Sequence, residues 1–375
     1  MIKSQKCHSS TVSPSYFSQM KTKTFTLLFL IHIIFTFAQE KLNVVVTGLS
    51  HDHAHVIINE FKEGKVTISG IVEADQELIK RYSKSYDLAD SLFFKDLKTT
   101  LMELKPDAVL AYNPTSQHID VARIALPMHI PLMVEKPLAT NTKDAQEMAQ
   151  LSRENSTPLL TNYETTWYAS NQTLAKKIKA DEFGTIKRMI AKNGHQGPKE
   201  IGCSPEFLAW LTDPNKNGGG AITDFGCYGA NLMTWLQDGK KPIAVTAVTR
   251  NFKPNVYPNV DDDATIILEY EHANGIIEAS WNWSYNIKGF QVYGDNTSYN
   301  ALDGNTLEYQ KQANNTEYTP LITDFYKDHL SYLKAVINGE IMPENDLSSL
   351  KNNLIVVEIL EAASKSAATG KRIKL

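Results

Sequence analysis

The chain has 375 residues, 42% apolar and 21% charged, which is longer than a single hydrophobic core usually grows, so two domains are expected. This is ordinary globular composition, and it excludes a largely disordered chain or a multi-span membrane protein. The formal charge of −4 argues against a nucleic-acid partner.

In chain order, Lys21 and Lys23 precede the run FTLLFLIHIIFTF, Phe25 to Phe37, and the small residue Ala38 follows. Residues 1–38 read as a secretory signal peptide cleaved after Ala38, with Met20 as an alternative start to Met1. The run falls short of the roughly 20 residues a membrane span needs. No stable span is expected after cleavage, and the protein is expected in the periplasm or outside the cell. Cleavage removes four lysines and no acid, taking the charge from −4 to −8. Only Cys203 and Cys227 then remain, so at most one disulfide can form.

From Lys41, short β-branched runs alternate with helical periods. LNVVVTG is followed by a helix over His55 to Lys62, VTISGIVEA by helices at Gln76 to Tyr86 and Leu97 to Leu104, and DAVLAYN by a helix at Gln117 to Leu126. PLMVEK then precedes a helix at Lys143 to Arg153. Such alternation predicts a Rossmann-type parallel sheet with helices on both faces, assigned to residues 39–160. Residues 161–375 read as an α+β domain. A helix at Asn171 to Lys179, the strand IKRMIAKNG, a Gly- and Pro-rich loop and a helix at Tyr228 to Leu236 precede four strands, IAVTAVTR, ATIILEYE, GIIEASWNW and GFQVYG. These four predict an open antiparallel meander with helices on one face. A long helix at Leu350 to Ala367 closes the chain before Gly370. The free sheet face suits a homo-oligomer.

The first strand leads into TGLSHDHAH, where a dinucleotide fingerprint would read Gly-x-Gly-x-x-Gly. Gly48 keeps the first glycine; Ser50 and His53 stand at the second and third, so backbone approach to a pyrophosphate is less free. Ser50, His51 and His53 could instead donate to phosphate at the helix N-terminus. A metal on His51, His53 and His55 is not expected, because a spacing of two on a helix turns side chains about 200° apart. Glu73, 25 residues after Gly48, stands where a carboxylate holds the ribose hydroxyls of NAD; Ala74 rather than arginine follows, which favours NAD over NADP. Asp261, Asp262 and Asp263 read as a turn before a strand rather than a calcium site.

Three linked segments, YNPTSQHIDVARIAL, VEKPLA and GGGAITDFGCYGAN, resemble the glucose-fructose oxidoreductase, inositol dehydrogenase and rhizopine-catabolism (Gfo/Idh/MocA) family over essentially all of the chain from Lys41. The resemblance implies that Lys136 of Glu135-Lys136-Pro137 lies beside nicotinamide and substrate, with Glu135 shaping its loop. It puts Asn113, Thr115 and His118 on the cofactor side, and makes Asp224 and Tyr228 of the D-x-G-x-Y motif the partners of Lys136. Tyr228 sides with the family's tyrosine-type branch and becomes the acid/base, its phenolate favoured by a nearby Lys136 cation. Asp224 also stands where a helix N-cap would. Trp167, Tyr168 and His195 fall where relatives meet substrate.

The expectation is therefore an exported NAD(P)-dependent oxidoreductase acting on the CH–OH groups of a saccharide, in breakdown of a polysaccharide or oligosaccharide. Free NAD is a cytoplasmic pool, so an exported enzyme would keep its NAD tightly bound. Two alternatives differ in class: a glycosidase or lyase that oxidises its substrate only transiently, and a sugar-binding relative without turnover.

Overall fold

A computed structural model describes residues 41–180, 183–312 and 315–375, so the signal-peptide run lies outside the described residues. The first sheet has six parallel strands: β1 (Asn43–Thr47), β2 (Thr67–Val72), β3 (Phe93–Phe94), β4 (Ala108–Ala111), β5 (Leu132–Glu135) and β6 (Leu159–Asn162), in the order β3-β2-β1-β4-β5-β6. Its central strands are buried on both faces, as Val44, Val45 and Val46 illustrate, which is why they read as continuous apolar runs. Helices α1 (Ala54–Lys62), α2 (Gln76–Tyr86), α3 (Leu97–Leu104), α4 (His118–Ala125) and α5 (Thr142–Glu154) connect them. Local chemistry fixes their ends: Asp75 caps α2 by accepting the amides of Glu77 and Leu78, and Asp87 ends it in the left-handed region. Strand order reverses between β1 and β4, the switch point at whose carboxyl edge such sheets bind ligands.

The second sheet is built on α6 (Ala169–Ile178), β7 (Arg188–Gly194), α7 (Pro205–Leu211), α8 (Pro214–Asn217), α9 (Ala221–Asp224) and α10 (Gly226–Leu236), followed by β8 (Ala244–Arg250), β9 (Asp263–Glu269), β10 (Asn274–Ser280), β11 (Ile287–Tyr293), β12 (Ser298–Ala301), β13 (Leu307–Gln312) and β14 (Asn315–Tyr318). Helices α11 (His329–Ile337) and α12 (Leu350–Thr369) and the short β15 (Ile373–Lys374) complete the chain. The nine strands run in the order β14-β13-β12-β11-β7-β10-β9-β8-β15.

The four-strand meander is corrected in one respect. β8, β9 and β10 follow one another antiparallel, but β7 is inserted between β10 and β11, parallel to the first and antiparallel to the second. The stretch expected as one Gly- and Pro-rich loop holds the three short helices α7, α8 and α9. The C-terminal helices cross back: α11 packs Leu330, Leu333 and Val336 into the core beneath β1 and β2, and α12 lies between α10 and α5. No helix among the described residues is long and apolar enough to cross a membrane.

Candidate active site

Gly48 ends β1 at φ +79°, and a Cβ there would lie 2.7 Å from the Asn113 side chain, so a residue without one is required. Glu73, at the carboxyl end of β2, accepts the amide of Leu49 (2.9 Å) on one oxygen and those of Ala74 (2.8 Å) and Asp75 (2.9 Å) on the other. After β4, Thr115 donates to Asn217 (3.4 Å), and His118 Nδ1 donates to the Leu138 carbonyl (3.1 Å). Burial lowers the His118 pKa to about 4. Asn113 Oδ1 and His118 Nε2 are buried polar atoms with no hydrogen-bond partner among the described residues. The first domain thus fits a dinucleotide at its carboxyl edge: Glu73 would hold ribose hydroxyls, Gly48 permits the turn, and Asn113 and His118 offer polar atoms on the side of the sheet nearest Lys136.

The histidines depart from expectation. Helix α1 begins only at Ala54, so His51 and His53 lie in the preceding turn, not on opposite helix faces, with ring centroids 4.5 Å apart. His55 points elsewhere, stacked on Tyr82 at 4.8 Å and bonded to the Tyr86 hydroxyl at 2.6 Å. His51 and His53 converge on Glu135, all three ligand atoms lying within 4.8 Å of one another. The His53 amide donates to His51 Nδ1 (3.1 Å), which leaves the proton of a neutral ring on Nε2, the atom a metal would require. The trio is therefore a hydrogen-bond network in which His53 Nδ1 (2.9 Å) and Asn162 Nδ2 (2.9 Å) donate to Glu135. Burial pushes the Glu135 pKa up, but the two imidazoles and Asn162 outweigh it and hold the carboxyl well below its usual range. Burial holds His51 well below the usual imidazole range.

Lys136 follows β5 and is buried across from Asp224 at the end of α9. Its ammonium donates to Asp224 Oδ1 (2.5 Å) and to the Asp224 carbonyl (3.1 Å). Burial works against the ammonium, yet Asp224, with Cys227 and Glu135, outweighs it and leaves the pKa raised. The same pairing overcomes burial at Asp224 and leaves its pKa lowered. Asp224 caps no helix, correcting that reading: its second oxygen accepts the indole N–H of Trp281 (3.0 Å). Tyr228, on the first turn of α10, has its ring 5.1 Å from Lys136 Nζ and 5.2 Å from Lys288 Nζ. Both cations face the ring, and burial, followed by Glu164 and other acidic neighbours, pushes the phenol well above its ordinary pKa. The expected phenolate stabilisation by Lys136 does not outweigh burial in this geometry.

These groups line one cavity of about 360 Å³ with His51, His53, His195, Phe207, Phe225 and Lys288. His195 packs edge-on against Phe225 at 4.8 Å, its pKa lowered by burial. Trp167 and Tyr168 stand outside this lining: Trp167 donates to Asn162 (3.0 Å) and packs on Tyr332, while Tyr168 bonds to Glu164 (2.5 Å), which pairs with Lys288. Phe207 and Phe225 are among the aromatic residues in the lining. Trp281 and Lys288 were not anticipated from the sequence. Cys203 and Cys227 are unbridged, and Cys227 donates to the Asp224 carbonyl. Asp261 and Asp262 are occupied by backbone amides of residues 220, 222, 252 and 253, and Asp263 by Ser280.

The Rossmann-type first domain and the second domain each match a known domain family. The oxidoreductase family with NAD-binding Rossmann fold matches residues 42–163, and the GFO/IDH/MocA C-terminal domain matches residues 171–300. The chain belongs to the Gfo/Idh/MocA family. Among curated relatives of the family, trans-1,2-dihydrobenzene-1,2-diol dehydrogenase of Sus scrofa is 20% identical over 60% of this chain and 63% of its own length. D-glucoside 3-dehydrogenase of Escherichia coli is 21% identical over 81% of this chain and 90% of its own length. The match to the Sus scrofa relative thus spans less than two thirds of that protein. Among solved structures, aldose-aldose oxidoreductase from Caulobacter crescentus aligns with a TM-score of 0.74 at 20% identity, covering 90% of this chain and 100% of that one. The WlbA dehydrogenase from Bordetella pertussis, in complex with NADH and UDP-GlcNAcA, aligns with a TM-score of 0.70 at 19% identity, covering 90% of this chain and 99% of that one. At these identities the likeness is one of fold.

Proposed function

We propose that the chain is an NAD-dependent oxidoreductase that oxidises a secondary hydroxyl of a saccharide, with Lys136, Asp224 and Tyr228 managing the hydroxyl proton. The buried Lys136–Asp224 pair beside Tyr228, at one wall of the cavity, carries this reading. The cavity's 360 Å³ falls in the range of about 300–1,000 Å³ common for small-molecule sites. An ammonium has three N–H groups; Asp224 takes two, leaving the third for the substrate oxygen. Asp224 keeps the lysine charged and aimed, and Trp281 keeps Asp224 aimed. Tyr228, protonated at rest, gives its proton to a carbonyl oxygen in reduction and receives one in oxidation. A bound nicotinamide would supply the hydride chemistry. The names of the glucoside and aldose enzymes among the similar proteins support a saccharide as substrate. Glu73, followed by Ala74, favours NAD over NADP.

We further propose export on the strength of residues 1–38, a resident rather than exchanging NAD, action in polysaccharide or oligosaccharide breakdown outside the cytoplasm, and a homo-oligomer. His53, whose Nδ1 donates to Glu135 and so leaves Nε2 to accept a proton, supplies a second base in the same cavity, which favours redox-neutral cleavage through transient oxidation as the second reading. The test is a screen of saccharides against purified protein, following nicotinamide absorbance and product oxidation level. Lys136→Ala and Tyr228→Phe should each lower turnover by about 10²–10⁴ while bound nucleotide, released by denaturation, is retained. Full activity in either variant sinks the assignment, and cleavage without net oxidation selects the second reading.

A further inference from the structure

Residues 50–52 of the altered fingerprint are engaged by the second domain. The Ser50 carbonyl accepts the indole N–H of Trp210 at 3.2 Å. The Asp52 carboxylate accepts the Ser204 amide at 3.0 Å. The His51 ring lies against Phe207 (4.7 Å) and Trp210 (5.4 Å) and is 2% exposed. Beside the loop, Arg81 on α2 makes a two-point ion pair with Glu206. Every second-domain partner lies on α7 or is its N-cap, Ser204, whose hydroxyl accepts the Phe207 amide while Pro205 opens the helix.

In a complete fingerprint the second glycine leaves the backbone bare for the pyrophosphate, and the third lets the helix pack closely on the strand. Here the second position presents its carbonyl, and the neighbouring Asp52 its carboxylate, to α7. We propose that α7 is the retaining element of the dinucleotide site: a clasp fastened to residues 50–52 and to α2, which must detach before the nucleotide can leave. This rests on the reading that NAD is a resident group, and it gives that reading a physical cause. Loss of the second glycine weakens what the loop alone can hold, and closure by the second domain replaces it with a slow release step. The clasp residues are positioning residues, acting on the nucleotide through the loop.

The experiment measures release of etheno-NAD from the loaded, full-length protein, by fluorescence after addition of excess NAD. Arg81→Glu and Glu206→Arg should each speed release by about three- to tenfold, since each sets like charges together at a partly exposed pair. The exchanged double variant should return release to near the unaltered rate, an outcome that a folding defect would not give. Trp210→Phe keeps a smaller aromatic ring and removes the donor to Ser50, and should speed release about fivefold. Slow release from the unaltered protein with the same rate in all variants overturns the clasp. Release from the unaltered protein that is already fast overturns the resident-cofactor reading instead.

Discussion

Tyr228 is a proton donor at rest because its surroundings resist a phenolate. Its hydroxyl is buried and acidic groups act on it, while Lys136 and Lys288 approach the ring face. A phenol raised above its usual value of about 10 supplies a base only at alkaline pH, so kcat for saccharide oxidation should climb with pH to at least about pH 10, while carbonyl reduction stays flat and then declines. Tyr228→Phe should remove the climb. A neutral optimum for oxidation would mean that another group takes the proton. Lys136, Asp224 and Tyr228 were legible in the sequence because each sits in a short linked motif. Trp281 and Lys288 were not, since they enter from the end of β10 and from β11 and no local pattern ties them to Asp224 or Tyr228. The His51–His53 pair was misread because helical spacing was applied to residues that precede the helix.

At the scale of elements, the position of Asp224 depends on how tightly α9 abuts the turn before β9. Gly220 precedes α9, and a Cβ there would fall 1.8 Å from the Asp261 carbonyl oxygen, the acceptor of the Ala221 amide. That oxygen belongs to backbone and cannot swing aside, so Gly220→Ala should shift α9, pull Asp224 away from Lys136, and cost about 1–3 kcal/mol in stability. Urea unfolding and turnover measured together provide the check, and a variant that matches the parent in both would show that α9 has slack. The first domain was readable almost element by element because each βαβ step repeats one period switch, from two to 3.6. The second sheet was less so. Sequence adjacency suggests hairpins, and nothing in RMIAKNG announces that it will pair with strands 86 to 105 residues later. Helices as short as α8 and α9, set among glycine and proline, carry too few turns to show a period.

For the whole molecule, the decisive titrations below neutrality are those of buried imidazoles. Burial lowers the pKa values of His51, His118, His195 and His329, that of His118 to about 4. Each is neutral when folded and binds a proton near pH 6.5 when unfolded, so the unfolded state holds more protons over the interval between those values. Stability from a depressed group is present above its unfolded pKa and is lost as pH falls toward the folded one. Glu60, Asp261 and Asp346 oppose this: burial raises all three, Glu60 to about 7 and Asp261 to about 6, so their contribution is present at low pH and lost as pH rises through the folded values. These three carboxyls offset part of the effect, but the depressed imidazoles, with His55 among them, are the more numerous, which leaves a net loss on acidification. For His118 alone the shift corresponds to about 3 kcal/mol at full protonation of the unfolded chain. The thermal midpoint should therefore fall steadily between pH 6.5 and pH 4, before the low-lying carboxyls of Glu135 and Asp224 begin to protonate. Replacing His118 with glutamine, which cannot titrate, should reduce the slope of midpoint against pH whatever it does to the midpoint itself. A midpoint constant down to pH 4.5 would mean that these rings find water or a proton-accepting partner in the folded protein, and that the core around the carboxyl edge of the first sheet is more open than its packing indicates.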